Sequence, residues 1–434
     1  MSRCVRALAA ALLLGPWSGP ADGAPPPFEE LLANLKSPNA KTRQAAAQAL
    51  GQSRRREAVT PLAAMVRDPE PKVRLEVARA LRELRDPDAL PAIVTSLEDG
   101  DVRVRLEAIA ALVELYVEPE RRTPVGRFLA FFSDDQPGTM VSPYVKVDAS
   151  VHRGLAVALR DEERDVRREA AVALGTLAGR PVVADVVAAL DDPDASVRGA
   201  SVTALARMGT ADEGKLLIPL LADESTDVRD RVMNALATLR VREAGPALRQ
   251  MYEASRQKEM SLRLLTCLSR LGDPNQADLF RVLVQDPDPE RRRLAVEGLG
   301  RTAGPELLSA FKKDFQRERN EELKLAYAFA LTRLGDRAFV DTVVLSLPSR
   351  TLGRRCEGYL IEIGREVMSD LYPYLSDPDP SIRAALCDIL AEMGDPDAVA
   401  HLTPLVGDPN AEVADRANRA VEHLRRLEQA PAGK

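Results

Sequence analysis

Apolar residues recur along this chain at fixed offsets within a block of about 31 residues. Position zero of each block is most often arginine: Arg43, Arg74, Arg105, Arg167, Arg198, Arg229, Ser261, Arg292, Lys324, Gly353, Arg383 and Ala414. The gaps between them are 31, 31, 62, 31, 31, 32, 31, 32, 29, 30 and 31. Seven positions later stand Leu50, Leu81, Leu112, Leu174, Leu205, Leu236, Leu268, Leu299, Leu331, Leu360, Leu390 and Val421. Position six is usually alanine, and further apolar residues recur at minus one, three, four and often ten. Steps of three and four mark the buried stripe of an amphipathic helix, whereas a strand would alternate. A small residue at position six lets a neighbouring helix come close.

Capping signals frame that helix. In "DPDPS", Asp379 suits the N-cap and Pro380 the first helical position. Leu334-Gly335-Asp336 and Met393-Gly394-Asp395 end one helix and begin the next. A shorter helix follows, as over 88–97, 182–190 or 398–406. Each block is therefore two helices and two turns, and neither helix can bury its apolar face alone. Stacking of the blocks into a solenoid follows. The gap of 62 equals two periods, so the pattern predicts twelve recognisable units and one aberrant slot over 117–150.

The block, written D-P-x-x-x-V-R-x-x-A-x-x-A-L-x-x-L-G, resembles the HEAT repeats, in particular the short type first noted in phycobilin lyases. The resemblance spans about residues 28 to 427. It implies an all-α, right-handed α-solenoid. It also implies a protein-binding scaffold, since most members of the family serve as one, although one fold hosts many functions.

The first 23 residues have another character. Arg3 and Arg6 precede a short apolar run, Ala7 to Gly15, and Ala21-Asp22-Gly23 offers small residues where a signal peptidase reads. This is the layout of a cleaved secretory leader, and the run is too short to span ~30 Å of hydrocarbon. Cys4 precedes the apolar run, so a lipoprotein anchor does not fit. The expected division is a leader over 1–23, a solenoid over 24–427 and a small polar tail over 428–434, in an exported protein with no membrane span. Cys267, Cys356 and Cys387 fall at small apolar helix positions and read as buried free thiols. A Cys356–Cys387 bond would have to bridge neighbouring helices whose axes lie roughly 8–10 Å apart.

Seven units pair the arginine with an aspartate six residues earlier: Asp68/Arg74, Asp99/Arg105, Asp161/Arg167, Asp192/Arg198, Asp223/Arg229, Asp286/Arg292 and Asp377/Arg383. Elsewhere the two change together, as in Glu318/Lys324, Ser255/Ser261 and Leu347/Gly353. An internal ion-pair ladder predicts this, with Arg383 holding Asp377 or a neighbouring unit's equivalent, because an arginine that reads a ligand need not track its own aspartate.

Chemistry is sparse. Net charge is -6 and aromatics are 4% of the chain, which disfavours nucleic acid and leaves little to line a cofactor pocket. The three histidines, His152, His401 and His423, form no metal motif, so the di-iron hydroxylases built on HEAT repeats are not matched. No cofactor and no catalytic set is proposed. The expected function is a non-catalytic scaffold that binds a protein. Two other classes stay open: a cofactor-binding or lyase-like enzyme, and a structural component of envelope assembly.

Two regions differ from the repeat. The second helices should line the concave face, with positions two and nine outside the core. Those positions are acidic early in the chain (Glu76, Glu83, Glu107, Glu114) and acidic again at Glu362 and Glu392. Between them stand Arg207, Arg231, Arg263, Arg270, Arg301, Arg333 and Arg355. This reads as a basic stripe for an acidic partner segment; the plainer reading is arginine answering a helix C-terminus. The second region is the aberrant slot. Pro137, Gly138 and Pro143 forbid its second helix, and it carries Phe128, Phe131, Phe132 and Tyr144. These aromatics either patch a core that lacks a helix or form a partner-binding lid. Deleting 133–147 separates the two: lost folding marks a patch, and intact folding with lost binding marks a lid.

Overall fold

The computed structural model describes residues 26–117 and 145–429. The expected leader, Phe128, Phe131, Phe132, Tyr144 and residues 430–434 lie outside them. Twelve longer helices follow one another: Ala40–Gln52, Pro71–Leu84, Val102–Tyr116, Arg164–Thr176, Ala195–Met208, Thr226–Thr238, Lys258–Leu271, Pro289–Thr302, Glu321–Arg333, Gly353–Ile363, Pro380–Met393 and Ala411–Gln429. Each closes one of twelve units, numbered 1 to 12 in this order. A shorter helix precedes each, often flanked by 3-10 turns, as in Leu90–Ser96 or Ala277–Leu283. No strand occurs among the described residues. The chain is an all-α solenoid of two-helix units.

The periodic positions explain the stack. Position seven is fully or almost fully buried in every unit, from Leu50 (0%) to Val421 (4%). Position six meets the preceding unit. A Cβ on Gly51, Gly175 or Gly300 would stand 2.7 to 2.8 Å from the Cα of Ala80, Ala204 or Ala330. Glycine at position eight and alanine at position six of the next unit thus let neighbouring long helices touch backbone to backbone. The caps fall where expected. Asp379 Oδ1 accepts from Ser381 N at 2.9 Å with Pro380 opening the helix, and Gly335 and Gly394 turn at φ of 106° and 65°. The long helices pack on one another along their length, while the short ones touch their neighbours sparsely. The stack therefore bends toward the long helices, which form its inner, concave wall.

Across the interval of 62 two recognisable units are in direct contact. The inner helix of unit 3, Val102–Tyr116, packs directly on that of unit 4, Arg164–Thr176. Arg105 reaches Asp161 at 2.8 Å, as arginines of adjacent units do elsewhere. The core runs through Leu112, Val151, Leu155, Ala170 and Leu174 without a break. The described helices thus join as twelve units, with units 3 and 4 in direct contact.

The ladder is real, but its rungs run between units. Arg43, Arg74, Arg105, Arg167, Arg198 and Arg383 pair with Asp68, Asp99, Asp161, Asp192, Asp223 and Asp408 of the next unit at 2.6 to 2.8 Å. Toward its own unit each arginine donates Nη1 to the backbone carbonyl six residues back, as Arg198 does to Asp192 O at 2.9 Å. Arg229 and Arg292 donate to the carbonyls of Asp223 and Asp286 in the same way. Each ladder aspartate also accepts the backbone N–H two residues on, as Asp223 Oδ1 does from Ser225 N at 2.8 Å; Asp286 and Asp377 do likewise. Of the two expected partners, the arginine's own aspartate or a neighbouring unit's equivalent, the second is the one observed: the aspartate shapes its own turn and faces the preceding arginine. A short carboxylate suits both tasks, which is why aspartate recurs here.

Candidate functional site: an arginine cluster on the concave wall

The concave wall carries two fields. In units 2 and 3, Glu76 and Glu107 are largely enclosed, and burial pushes both carboxyls up, against the pull of Arg79 on Glu76 and of Arg82 and Arg79 on Glu107. Arg82 meets Glu107 at 2.6 Å and Arg85 meets Glu114 at 2.9 Å. From unit 6 onward arginines dominate.

The seven predicted arginines divide into two groups. Those at position two turn to acids of their own or the preceding inner helix. Arg231 meets Asp227 at 2.8 Å, Arg263 meets Asp230 at 2.7 Å and Arg355 meets Glu322 at 3.0 Å. They are rungs of an inner ladder more than open cations. Arg207 lies 3.5 Å from Thr176 Oγ1, away from the centre described next.

Arg270, Arg301 and Arg333, all at position nine, do come together, and they do so around Glu362. Arg301 Nε and Nη2 donate to Glu362 Oε1 and Oε2 at 2.7 and 2.8 Å, and both side chains are 4% exposed. Arg240 Nη2 adds a third bond to Glu362 Oε1 at 3.2 Å. Arg301 stands two units from Glu362 and Arg240 four, so this part of the wall is tightly curved. Arg240 is placed by its backbone, which ends the inner helix of unit 6 in the left-handed region at φ 51°. Glycine holds the corresponding place at Gly272 and Gly335; a longer side chain is strained there.

A second carboxylate supports the first. Glu297 is buried and accepts from Arg293 and from the Tyr359 hydroxyl, with Arg301 Nη1 at 3.6 Å. Burial works against its charge, yet Arg293 and Arg301 hold it down at about 2. Tyr359 stacks on Phe329 at 4.2 Å, and the Arg301 guanidinium lies 4.9 Å from the Phe329 ring. Arg301 is therefore locked on every side.

Burial and the neighbouring Arg301 push the Arg270 guanidinium down to about 10. Burial, together with Arg301 and Arg333 and against the pull of Glu362, pushes Arg240 down as well. Arg333 Nε is buried and donates to no acceptor. Six arginine and carboxylate groups thus share one place: Arg240, Arg270, Arg301 and Arg333 against Glu297 and Glu362.

Sequence reasoning placed Glu362 in the acidic end of the wall and left Arg240 out. Glu362 is the hub instead, because curvature brings position nine of unit 10 back over unit 8. Reading position nine across units two apart, Arg301 against Glu362, was the available signal. Among the described residues no group of three His, Cys, Asp or Glu is placed to hold a metal ion, and no helix is long and apolar enough to cross a membrane. Cys267, Cys356 and Cys387 are free and buried.

Comparison with known proteins agrees with this architecture. No curated protein matches the chain. Among solved structures, Kap95p, which binds RanGDP and induces its switch loops to adopt the GTP-bound conformation, aligns at 14% identity with a TM-score of 0.50. The alignment covers 93% of this chain and 57% of that one. Importin beta aligns at 12% identity and a TM-score of 0.48, with the same coverage. YibA of E. coli aligns at 17% identity and 0.42, over 63% of this chain and 92% of that one. These likenesses concern the fold. A profile of HEAT repeats matches residues 28–113, 153–237, 214–300, 245–332 and 350–425, most of the chain. The chain belongs to the HEAT repeat family.

Proposed function

We propose that the protein is a non-catalytic scaffold that acts after export and holds an acidic segment of a protein partner against its concave wall. The observation that carries this reading is the convergence of Arg240, Arg301 and Arg333 on Glu362 at the inner face. A solenoid offers a long continuous surface for such a segment, and a positive field draws acidic chains to it. The N-terminal leader pattern supports export.

The test is site-directed photo-crosslinking in the cell that makes the protein. A photoreactive residue replaces Arg207 or Thr238 on inner helices, or Val282, which is 73% exposed on the outer helix Ala277–Leu283. The expected result is one partner captured from the inner positions and not from Val282. Capture from Val282 alone, or recovery of the protein from the cytosol with its first 23 residues intact, overturns the reading.

A further inference from the structure

Glu362 sits where a ligand's carboxylate would sit. Its two oxygens take the planar fork of Arg301, which is the geometry by which arginine recognises a carboxylate or phosphate. Arg240 adds a third bond from four units away. One carboxylate on one inner helix does not need Arg240 and Arg333 beside Arg301 for folding. Glu297 does not balance them, because Arg293 and Tyr359 already hold it. Arg333 is the clearest sign. Its Nε is enclosed without an acceptor, and a bound ion is one way to satisfy such a donor.

We propose that this cluster is an oxyanion seat, that Glu362 fills it from within in the free protein, and that a carboxylate of the partner's acidic segment takes its place. The reading rests on the proposed scaffold role and adds the recognition chemistry to it. The incoming carboxylate receives the fork of Arg301 that Glu362 gives up and gains donors from Arg240 and Arg333. Glu362 is then a competitor within the chain. It tunes affinity down and reserves the seat for segments that bring more than one acidic group. Because Glu362 ties unit 10 to units 6 and 8, its displacement also loosens the tightest part of the curve.

The experiment measures binding of fluorescein-labelled hexaglutamate by anisotropy, and of inorganic phosphate by calorimetry, to the mature full chain at low salt. Four proteins are compared: the native chain, Glu362→Gln, Arg333→Gln and Arg103→Gln, the last an exposed arginine paired locally with Asp101. Removal of an internal competitor raises apparent affinity by the factor with which it occupied the site. Glu362→Gln, which keeps shape and loses charge, is expected to bind hexaglutamate about tenfold more tightly. Arg333→Gln is expected to bind at least about tenfold more weakly with an unchanged melting temperature, since it gives up no internal hydrogen bond at Nε. Arg103→Gln is expected to match the native chain.

Unchanged or weaker binding by Glu362→Gln overturns the competitor role. Unchanged binding by Arg333→Gln overturns the seat, whatever partner the wall holds, and stands as the test if Glu362→Gln does not fold. If phosphate follows the expected pattern and hexaglutamate does not, the seat stands with a free oxyanion as its ligand. The acidic partner segment then falls.

Discussion

Removing one rung of the ladder tests the architecture quantitatively. Arg198 Nε and Nη2 each lie 2.8 Å from an Asp223 oxygen, and Nη1 donates to Asp192 O at 2.9 Å. The side chains are 16% and 5% exposed. Exposed ion pairs contribute about 0–1 kcal/mol, and breaking a buried pair costs about 3–5 kcal/mol. A bidentate, mostly enclosed rung lies between, so the coupling of Arg198 to Asp223 in a double-mutant cycle should be about 2 kcal/mol. The coupling of Arg198 to the Asp192 side chain should stay below about 0.5 kcal/mol. That carboxylate belongs to Arg167, at 2.7 Å, and the carbonyl that Arg198 uses survives the substitution. Solenoids need not unfold in one step, so the readout is native-state hydrogen exchange in Ala195–Met208 and Thr226–Thr238. The cycle uses Arg198→Ala with Asp223→Ala, and Arg198→Ala with Asp192→Ala. A larger coupling to Asp192 would refute the inter-unit rung and restore pairing within the unit.

Three further outcomes follow from the same geometry. Asp408→Ala, in a unit whose own position zero is Ala414, should destabilise the last two units by about 2 kcal/mol through loss of the Arg383 fork; an effect near zero in hydrogen exchange would contradict this. Acid should weaken the fold in a defined window. Hydrogen bonds from arginine hold Asp223 and Asp408 below the ordinary carboxyl range, and Arg180 with Thr210 holds Glu213 at about 2. Folded values below unfolded ones of about 4 mean stability that is complete above that range and lost as pH falls toward 2. Glu76 and Glu107, raised by burial, have the opposite sign. The melting temperature should therefore pass a shallow maximum just above the carboxyl range and then drop, and a continued rise on acidification would be inconsistent. Burial pushes Cys267, Cys356 and Cys387 up to about 12. The native protein should then show no reaction of these three thiols with Ellman's reagent at pH 8, and all three should react in guanidinium; fast native labelling at any of them would mean that its helix opens.

Much of the fold is visible in the residues, because a one-dimensional stack writes its contacts as a period. Leu at position seven, small residues at six and eight, and the Asp-Pro cap each report a local need that recurs from unit to unit. Ladder direction was harder. A rung six residues back and one 25 residues forward leave the same mark in a strict repeat. The ends hold the answer. Unit 1 has Arg43 but Ser37, and unit 12 has Asp408 but Ala414. Only rungs that run forward to the next unit make both ends sensible, and Arg43–Asp68 and Arg383–Asp408 are those rungs. The interval of 62 shows the limit of the period: spacing along the chain does not say that units 3 and 4 touch directly, as they do. The site was the least legible part. Positions two and nine were expected outside the core, yet Thr176, Ala200, Leu294, Ala326 and Ala385 are buried, and curvature is a property of the whole stack. Nothing in a single unit brings Arg240 to Glu362 across 122 residues.

The most direct test of the account measures the affinity of the captured native partner for the native chain and for Glu362→Gln, side by side at two salt concentrations. The account predicts tighter binding by Glu362→Gln and weaker binding of both at high salt. Weaker binding by Glu362→Gln, with its fold intact, would contradict it.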